Sequence, residues 1–138
     1  MTEPDASTID PGQPTASAPH GPLSERHRIL KLHEFRRVYT RGFHASSPAF
    51  GCYVLPTNRP GPRLGLSVSK KYGNAVFRNK IKRRLREAFR QERDGFPEPV
   101  DVILVPRRGA RSHGYREIAA EIRQLVQRAL SDRGRRQR

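Results

Sequence analysis

The chain has 138 residues, enough for one domain. Its formal net charge is +15 and its isoelectric point is about 11.4. Such an excess of positive charge is typical of proteins that bind a polyanion such as a nucleic acid. No apolar run approaches the roughly 20 residues that span a bilayer, and no signal-like segment opens the sequence, so we expect neither a membrane protein nor a secreted one. Cys52 is the only cysteine, which excludes an internal disulfide and a multi-cysteine zinc site and favours a buried thiol in a reducing cytoplasm.

Composition divides the chain into three segments. Residues 1–24 are rich in Pro, Ser, Thr, Ala and Gly, contain no Lys or Arg, and are predicted to be a disordered tail. Residues 25–132 are predicted to form a single domain, and residues 133–138 a basic C-terminal tail. Outside the first segment the chain carries 28 basic and 10 acidic groups, a net charge of +18. Self-repulsion would strain such a domain unless a polyanion offset it.

The domain is predicted to begin with a helix followed by three strands. Apolar residues share one side of a helix over residues 31–39: Leu32, Phe35, Val38 and Tyr39. The chain from 43 to 55 is rich in β-formers, and its second part, 49–55, has the composition of a strand. A Pro- and Gly-rich loop over 56–62 then leads to 63–70, where apolar residues alternate as in a half-buried strand.

A helix, a strand and a last helix complete the domain. The central helix is predicted to run from Asn74 or Ala75 to Arg93, and residues 100–105 are apolar and β-branched like a fully buried strand. Ser112 is a candidate N-cap for a last helix that ends near Leu130. Its apolar residues recur at helical spacing: Ile118, Ile122, Leu125, Val126 and Ala129. The order αβββαβα predicts an α/β (α+β) sandwich with three helices and one mainly four-stranded sheet.

The central helix combines an apolar side with a basic side. At 100° per residue, five apolar residues fall within an arc of about 120° and are expected to face the sheet: Phe77, Ile81, Leu85, Ala88 and Phe89. Five cations fall on the adjacent arc: Lys82, Arg83, Arg86, Arg90 and Arg93. Arg78, Lys82 and Arg86 lie one turn apart, about 6 Å along the axis, a spacing close to that of phosphates along a nucleic-acid strand.

Two interpretations of this basic side are open, a solvated face and a phosphate-binding face. A solvated face would mix charges of both signs, whereas residues 70–93 contain ten Lys or Arg and only two acidic residues. Arginine outnumbers lysine by 23 to 5 in the whole chain, which favours bidentate contacts with phosphate over diffuse attraction. Asn79 can accept as well as donate a hydrogen bond, which indicates a site that also touches ribose or bases.

The same residues resemble the signature of the bacterial ribonuclease P protein subunit. The resemblance rests on the stretches Ser67–Lys71 and Gly73–Val76 and on five residues of the helix that follows: Arg78, Asn79, Lys82, Arg83 and Arg86. It extends more loosely from about Arg28 to Leu130. The resemblance implies a left-handed βαβ crossover, a sense that the general rule for parallel strands would not have predicted.

The resemblance also implies a function. The protein would bind the catalytic RNA of ribonuclease P, and the holoenzyme would remove 5′ leaders from precursor tRNA by magnesium-assisted hydrolysis at the RNA. The Mg²⁺ would be bound chiefly by the RNA, so no catalytic residue and no metal ligand is assigned to the protein. The five helix residues named above would contact the RNA subunit. The single-stranded leader would lie on a second set: Phe35, Tyr39, Tyr53, Lys70 and Lys71. For Phe35 a place in the core is the alternative.

Two other classes of function fit a basic domain, an independent nuclease and a non-enzymatic nucleic-acid-binding protein. An independent nuclease needs convergent carboxylates, but the acidic residues of the domain are scattered, and its histidines lack metal-ligand spacing. A helix-turn-helix DNA-binding protein needs a helix before Ala75, where the pattern predicts a strand. A ribosomal-type structural RNA-binding protein with no role in cleavage needs the same basic helix and stays open as the alternative.

Overall fold

The computed structural model of the chain describes residues 27–136, so the predicted tail over residues 1–24 lies outside the described residues. Seven elements follow in chain order: helix α1 (Leu32–Arg41), strands β1 (Phe43–Ser46), β2 (Phe50–Pro56) and β3 (Arg63–Leu66), helix α2 (Ala75–Glu92), strand β4 (Val100–Pro106) and helix α3 (Tyr115–Arg136). The predicted order αβββαβα and the predicted fold class are confirmed.

The four strands form one mixed sheet in the order β1-β2-β4-β3. β2 pairs antiparallel with both β1 and β4, whereas β3 lies parallel to β4. A parallel pair needs a crossover connection, and α2 supplies it. The left-handed sense of this βαβ unit stays a prediction. An extended segment continues the sheet beyond β3, since Arg28 bridges Leu64 and the Ile29 amide donates to the Leu64 carbonyl at 2.9 Å.

Helices cover both faces of the sheet. α2 and α3 pack on one face, where Val102 and Leu104 of β4 join the larger core. α1 packs on the other face, where Ile103 lies in a smaller core with Ile29 and Val38. Successive strand residues point to opposite faces, so a strand that is apolar at nearly every position must be covered on both. The prediction that β4 is fully buried is therefore confirmed, as is the prediction that Cys52 is buried.

Three predicted boundaries are wrong. β3 ends at Leu66, four residues before the predicted end at Lys70, and Lys70 begins the 3-10 turn Lys70–Tyr72. Ser112 is not the N-cap of α3, because its hydroxyl donates to the Gly109 carbonyl at 3.3 Å inside a separate 3-10 turn. The cap contact of α3 comes from Glu117, whose carboxylate accepts from the Gly114 amide at 2.7 Å, one half of a capping box. The helix continues to Arg136, so part of the predicted basic tail is helical.

A buried ion pair fixes α1 to the sheet. Arg63 of β3 donates through Nε and Nη2 to the two carboxylate oxygens of Asp101 on β4, at 3.0 and 2.7 Å, and through Nη1 to Glu34 of α1 at 3.1 Å. Burial alone would raise the pKa of Glu34, but the hydrogen bond and charge of Arg63, aided by Arg59, hold that pKa below its ordinary value. The bond to Asp101 in turn raises the pKa of Arg63. One guanidinium thus joins three elements.

Candidate nucleic-acid interface

The N-terminus of α2 is held by a local cap. The side-chain oxygen of Asn74 accepts from the Phe77 amide at 3.1 Å, and the Asn74 carbonyl accepts from the Arg78 amide at 3.0 Å. Asparagine is among the preferred residues at this position because it satisfies an amide that has no partner within the helix. The cap fixes the backbone from which Arg78 and Asn79 project.

The apolar side of α2 is confirmed except at its first turn. Ile81, Leu85, Ala88 and Phe89 are buried in the larger core. The prediction for Phe77 is wrong, since its side chain is 43% exposed. The whole first turn, from Ala75 to Phe77, is exposed, so it lies beyond the edge of the core, and angular position alone does not bury a residue there.

The basic side of α2 divides into two parts. Arg78, Lys82 and Arg86 are half-buried, and Asn79 and Arg83 are exposed, so these five residues are brought together on one side of the helix. We call them the phosphate row. The prediction that Arg90 and Arg93 belong to this basic side is wrong.

Arg90 and Arg93 at the end of α2 are only 6% and 8% exposed. Arg90 forms an ion pair with Glu87, one turn earlier on the same helix. Arg90 is therefore neutralised within the protein, and neither side chain is available to a polyanion in this conformation.

Electrostatic strain is concentrated in the phosphate row. Burial, with the charges of Arg86 and Arg78, lowers the pKa of Lys82. Burial, with the charge of Arg28, lowers the pKa of Arg86 to about 10. Within residues 27–132, neither Lys82 nor Arg86 forms an ion pair with a carboxylate. Cations that are partly desolvated and lie beside like charges are stabilised when an anion approaches.

Aromatic side chains form a second surface, on the other face of the sheet. The ring centroids of Phe35 and Tyr39 on α1 are 6.5 Å apart, and the Tyr39 ring meets the Tyr53 ring of β2 edge-on at 4.8 Å. Tyr39 is 39% exposed, and Phe35 is half-buried against the smaller core. A Cβ at Gly65 would lie 3.0 Å from the Phe35 ring, so a glycine lets this ring approach the sheet. Phe35 therefore both packs and lines the surface.

The sequence reasoning missed His44 in this aromatic surface. Its ring lies 4.7 Å from that of Tyr53, because the two residues are paired across β1 and β2. A cross-strand pair of this kind can be found once the register of the two strands is known, and the sequence alone does not supply the register.

A basic groove lies beside the aromatic surface. Lys71 lines a cavity of about 580 Å³ opposite Arg107 and Arg108, in the loop after β4. Lys70, also predicted to bind, is exposed on the same turn as Lys71. Arg107 donates to the Ser47 carbonyl at 2.8 Å. A Cβ at Gly51 would lie 3.5 Å from Arg107 and 4.0 Å from His44, so the basic groove and the aromatic surface meet at Gly51.

The combination of rings and cations defines a class of ligand. Stackable rings beside lysine and arginine suit single-stranded nucleic acid, and a phosphate row on a helix suits a folded one. The fold and its two surfaces thus define an α/β protein built to bind nucleic acid.

Known proteins place the chain in one family. The family model described as Ribonuclease P matches residues 23–130. The chain is 37% identical over 109 residues to the ribonuclease P protein component of Clostridium novyi, covering 78% of this chain and 96% of that one. It is 34% identical over 108 residues to the protein component of Halalkalibacterium halodurans, covering 78% and 91%.

Solved structures agree. The ribonuclease P protein of Staphylococcus aureus superposes with a TM-score of 0.64 at 35% identity, covering 75% of this chain and 94% of that chain. The protein from Thermotoga maritima superposes with a TM-score of 0.66 at 25% identity, covering 73% and 96%. The chain belongs to the ribonuclease P protein family.

Two features are absent from the described residues. None of the helices in that part of the chain is long and apolar enough to cross a membrane. No three His, Cys, Asp or Glu side chains there lie together as ligands for a metal ion.

Proposed function

We propose that the protein holds the catalytic RNA of ribonuclease P along α2 and the 5′ leader of precursor tRNA across the aromatic surface and the basic groove. Family membership makes the chain the protein component of that ribonuclease, and the proposal concerns what its two surfaces bind. One observation carries it. Lys82 and Arg86 are half-buried, have lowered pKa values and form no ion pair with a carboxylate within residues 27–132.

The phosphate row supports contact with a structured RNA. Arg78, Lys82 and Arg86 repeat at one-turn spacing, about 6 Å along the axis, so successive phosphates of one strand can each meet one cation. The buried apolar side of α2 holds that spacing rigid, since a helix packed on a core does not bend freely. Asn79 and Arg83 extend the row sideways, where a ribose hydroxyl or a base edge lies beside the backbone.

The aromatic surface supports contact with a single strand. Tyr39 and Tyr53 present ring surface on which bases can stack, and base stacking contributes roughly 1–3 kcal/mol per base. Lys70 and Lys71, with Arg107 and Arg108 across the groove, supply cations for the phosphates of the same strand. A leader is single-stranded, whereas mature tRNA has no such segment to place there.

The carboxylates of the protein support the proposal that Mg²⁺ is bound chiefly by the RNA. Magnesium prefers oxygen ligands, and the carboxylates nearest these surfaces already have cationic partners: Glu34 and Asp101 with Arg63, and Glu87 with Arg90. When bound at the RNA, Mg²⁺ supplies the polarisation of the phosphodiester and of the attacking water. The residues of this chain bind and orient the two RNA segments and lower the repulsion between them.

The proposed place of action is the cytoplasm, as expected for tRNA processing. Cys52 is buried, and burial raises the pKa of its thiol to about 12, as for a structural thiol in a reducing compartment.

Reconstitution tests the proposed function. The protein should bind a catalytic ribonuclease P RNA with submicromolar affinity and allow that RNA to cleave precursor tRNA at a lower magnesium concentration than the RNA alone requires. The protein without RNA should not cleave. Recovery of ribosomal RNA, and no catalytic RNA, from a pull-down would instead favour the ribosomal alternative.

A double substitution in the aromatic surface separates leader binding from packing. Phe35→Ala with Tyr39→Ala should weaken the affinity of the holoenzyme for leader-bearing precursor by about tenfold to hundredfold, because the loss of stacking of one base costs roughly 1–3 kcal/mol. Affinity for mature tRNA should change little. Comparison of the two dissociation constants checks this, with Leu32→Ala, another exposed apolar residue of α1, as the matched control. Equal losses for both RNAs would mean that the rings only pack.

A further inference from the structure

A loop arginine is fastened to the start of α2 by three contacts. Arg111 belongs to the 3-10 turn Arg108–Ser112, which follows β4. Its guanidinium carbon lies 4.4 Å from the centroid of the Phe77 ring and 5.5 Å from that of the Tyr72 ring. Its Nη2 also donates to the Tyr72 carbonyl. Two cation–π contacts and one hydrogen bond therefore engage a single side chain.

The backbone of the opposing turn is shaped to admit this side chain. Gly73 has a φ of +157° and is the positive-φ glycine of the described residues. A Cβ at that position would overlap the Arg111 guanidinium and lie 3.2 Å from the Cβ of Phe77. Any other residue at position 73 would displace the arginine, so the glycine and the arginine fit one another.

A second link joins α2 to the same loop. Arg84 of α2 donates through Nη1 to the His113 carbonyl at 3.1 Å. The loop itself is anchored, because Ala110 is fully buried in the larger core and its amide donates to the Arg107 carbonyl at 2.8 Å. The exposed first turn of α2, which has no core beneath it, thus receives its support from a loop held on the core.

We propose that Arg111 is a positioning residue for RNA binding: it fixes the first turn of α2, and so the places of Arg78 and Asn79, without itself contacting RNA. This inference rests on the proposed function, because it needs the phosphate row to be the RNA-binding element. Arg78 directly follows Phe77, the ring that Arg111 covers. A loss of that cover lets the Tyr72–Gly73 turn and the helix start move together. A displacement of about 1 Å suffices to weaken contacts that depend on fixed geometry.

The first experiment compares two replacements of Arg111. Arg111→Ala should raise the dissociation constant for the catalytic RNA about tenfold, a size usual for coupling between residues in contact. Arg111→Lys should restore less than half of the loss on a logarithmic scale, since an ammonium cannot lie flat on a ring while it donates to Tyr72. Arg116→Ala, which removes an exposed cation of α3 near the same loop, is the charge-matched control and should change the constant less than twofold.

Two further measurements separate positioning from direct contact. If Arg111 acts through Arg78 and Asn79, the double variant Arg111→Ala with Arg78→Ala should lose clearly less affinity than the product of the two single losses, whereas Arg111→Ala with Arg86→Ala should show the full product. In the absence of RNA, amide exchange at residues 77–79 should be faster in Arg111→Ala than in Arg116→Ala, with Leu85 unchanged.

Several outcomes would overturn this inference. Full restoration of RNA affinity by Arg111→Lys would mean that only the charge at position 111 matters. If the losses of Arg111→Ala and Arg78→Ala multiply fully in the double variant, Arg111 contacts the RNA independently. Unchanged exchange at residues 77–79 would remove the mechanism, and this readout remains available even if RNA binding by a variant is lost. Failure of the wild-type protein to bind the catalytic RNA would instead contradict the proposed function itself.

Discussion

Replacement of both Lys82 and Arg86 by glutamine is expected to weaken binding of the catalytic RNA by about 100-fold or more and, at the same time, to stabilise the free protein. Each cation makes a charge-assisted contact with phosphate in the proposed complex, worth about 1.5–3 kcal/mol, and about 1.4 kcal/mol corresponds to a tenfold change in affinity. In the free protein the same two cations are half-buried beside Arg28 and Arg78. Their removal relieves desolvation and repulsion, with a gain of about 0.5–1 kcal/mol in the free energy of unfolding.

Titration over a range of salt concentrations measures the first effect. Loss of two phosphate contacts should reduce the slope of log affinity against log salt by about 1.4–1.8. Arg116→Gln with Arg128→Gln is the matched control, because it removes two exposed cations of α3 and changes the net charge equally. An equal loss of slope in the control would indicate diffuse attraction to the whole basic surface. A lower melting temperature in the Lys82 and Arg86 variant would contradict the proposed strain.

The pH dependence of stability follows from the same pKa shifts. Both cations have lowered pKa values in the folded state, so between the lowered and the ordinary pKa the unfolded chain binds more protons. Stability must therefore rise with pH across that window, which for Arg86 begins near pH 10. Tyr72, which is buried, and Tyr115, which is half-buried, have raised pKa values and act in the opposite sense. The informative quantity is the difference in the free energy of unfolding between the wild type and the double variant of Lys82 and Arg86. This difference should narrow as the pH rises.

The sequence predicts α2 well because one helix carries two periodic signals. Ile81 and Leu85 are buried as their period requires, and Lys82 and Arg86 lie beside them. The period gives an angle around the axis and carries no information on where the core ends. Phe77 is therefore exposed although its angle matches that of Ile81.

The errors at the other end of α2 have a different origin. Arg90 shares the angular position of the phosphate row but is covered by tertiary packing, and a carboxylate one turn away neutralises it. A helical wheel does not show which neighbouring element covers a residue. Whether Arg90 is exposed or buried therefore depends on the three-dimensional structure.

Loops carry the parts of the site that no period could reveal. Arg107 and Arg111 follow β4 in a segment whose sequence indicates only a basic loop, and their contacts with Ser47 and Tyr72 join residues far apart in the chain. His44 depends similarly on strand register. The N-cap of α3 shows how local signals compete, because Ser112 has the preferred side chain, yet Glu117 provides the cap contact from within the helix.

Asp101→Asn is expected to cause the largest loss of stability of any single change considered, about 3–5 kcal/mol in the free energy of unfolding, because it leaves the Arg63 guanidinium buried without its full counter-charge. Chemical denaturation measures this loss. The paired change Arg63→Met with Asp101→Leu should recover most of it, since a buried ion pair can be replaced by apolar residues at little cost. Equal destabilisation by the single and paired changes would mean that packing volume, not charge, decides.

The same pair of variants tests whether the ion pair also serves the leader surface. Arg63 reaches Glu34 on α1 at 3.1 Å, and Phe35 follows Glu34 directly. The lowered pKa of Glu34 gives stability that is present above its ordinary pKa and is lost as the pH falls through the folded value. In the paired variant, which lacks Arg63, that acid-dependent loss of stability should shrink.

If the contact between Arg63 and Glu34 places α1, affinity for precursor tRNA should remain reduced in the paired variant although stability is restored. Restored affinity would show that the sheet alone places Phe35 and Tyr39.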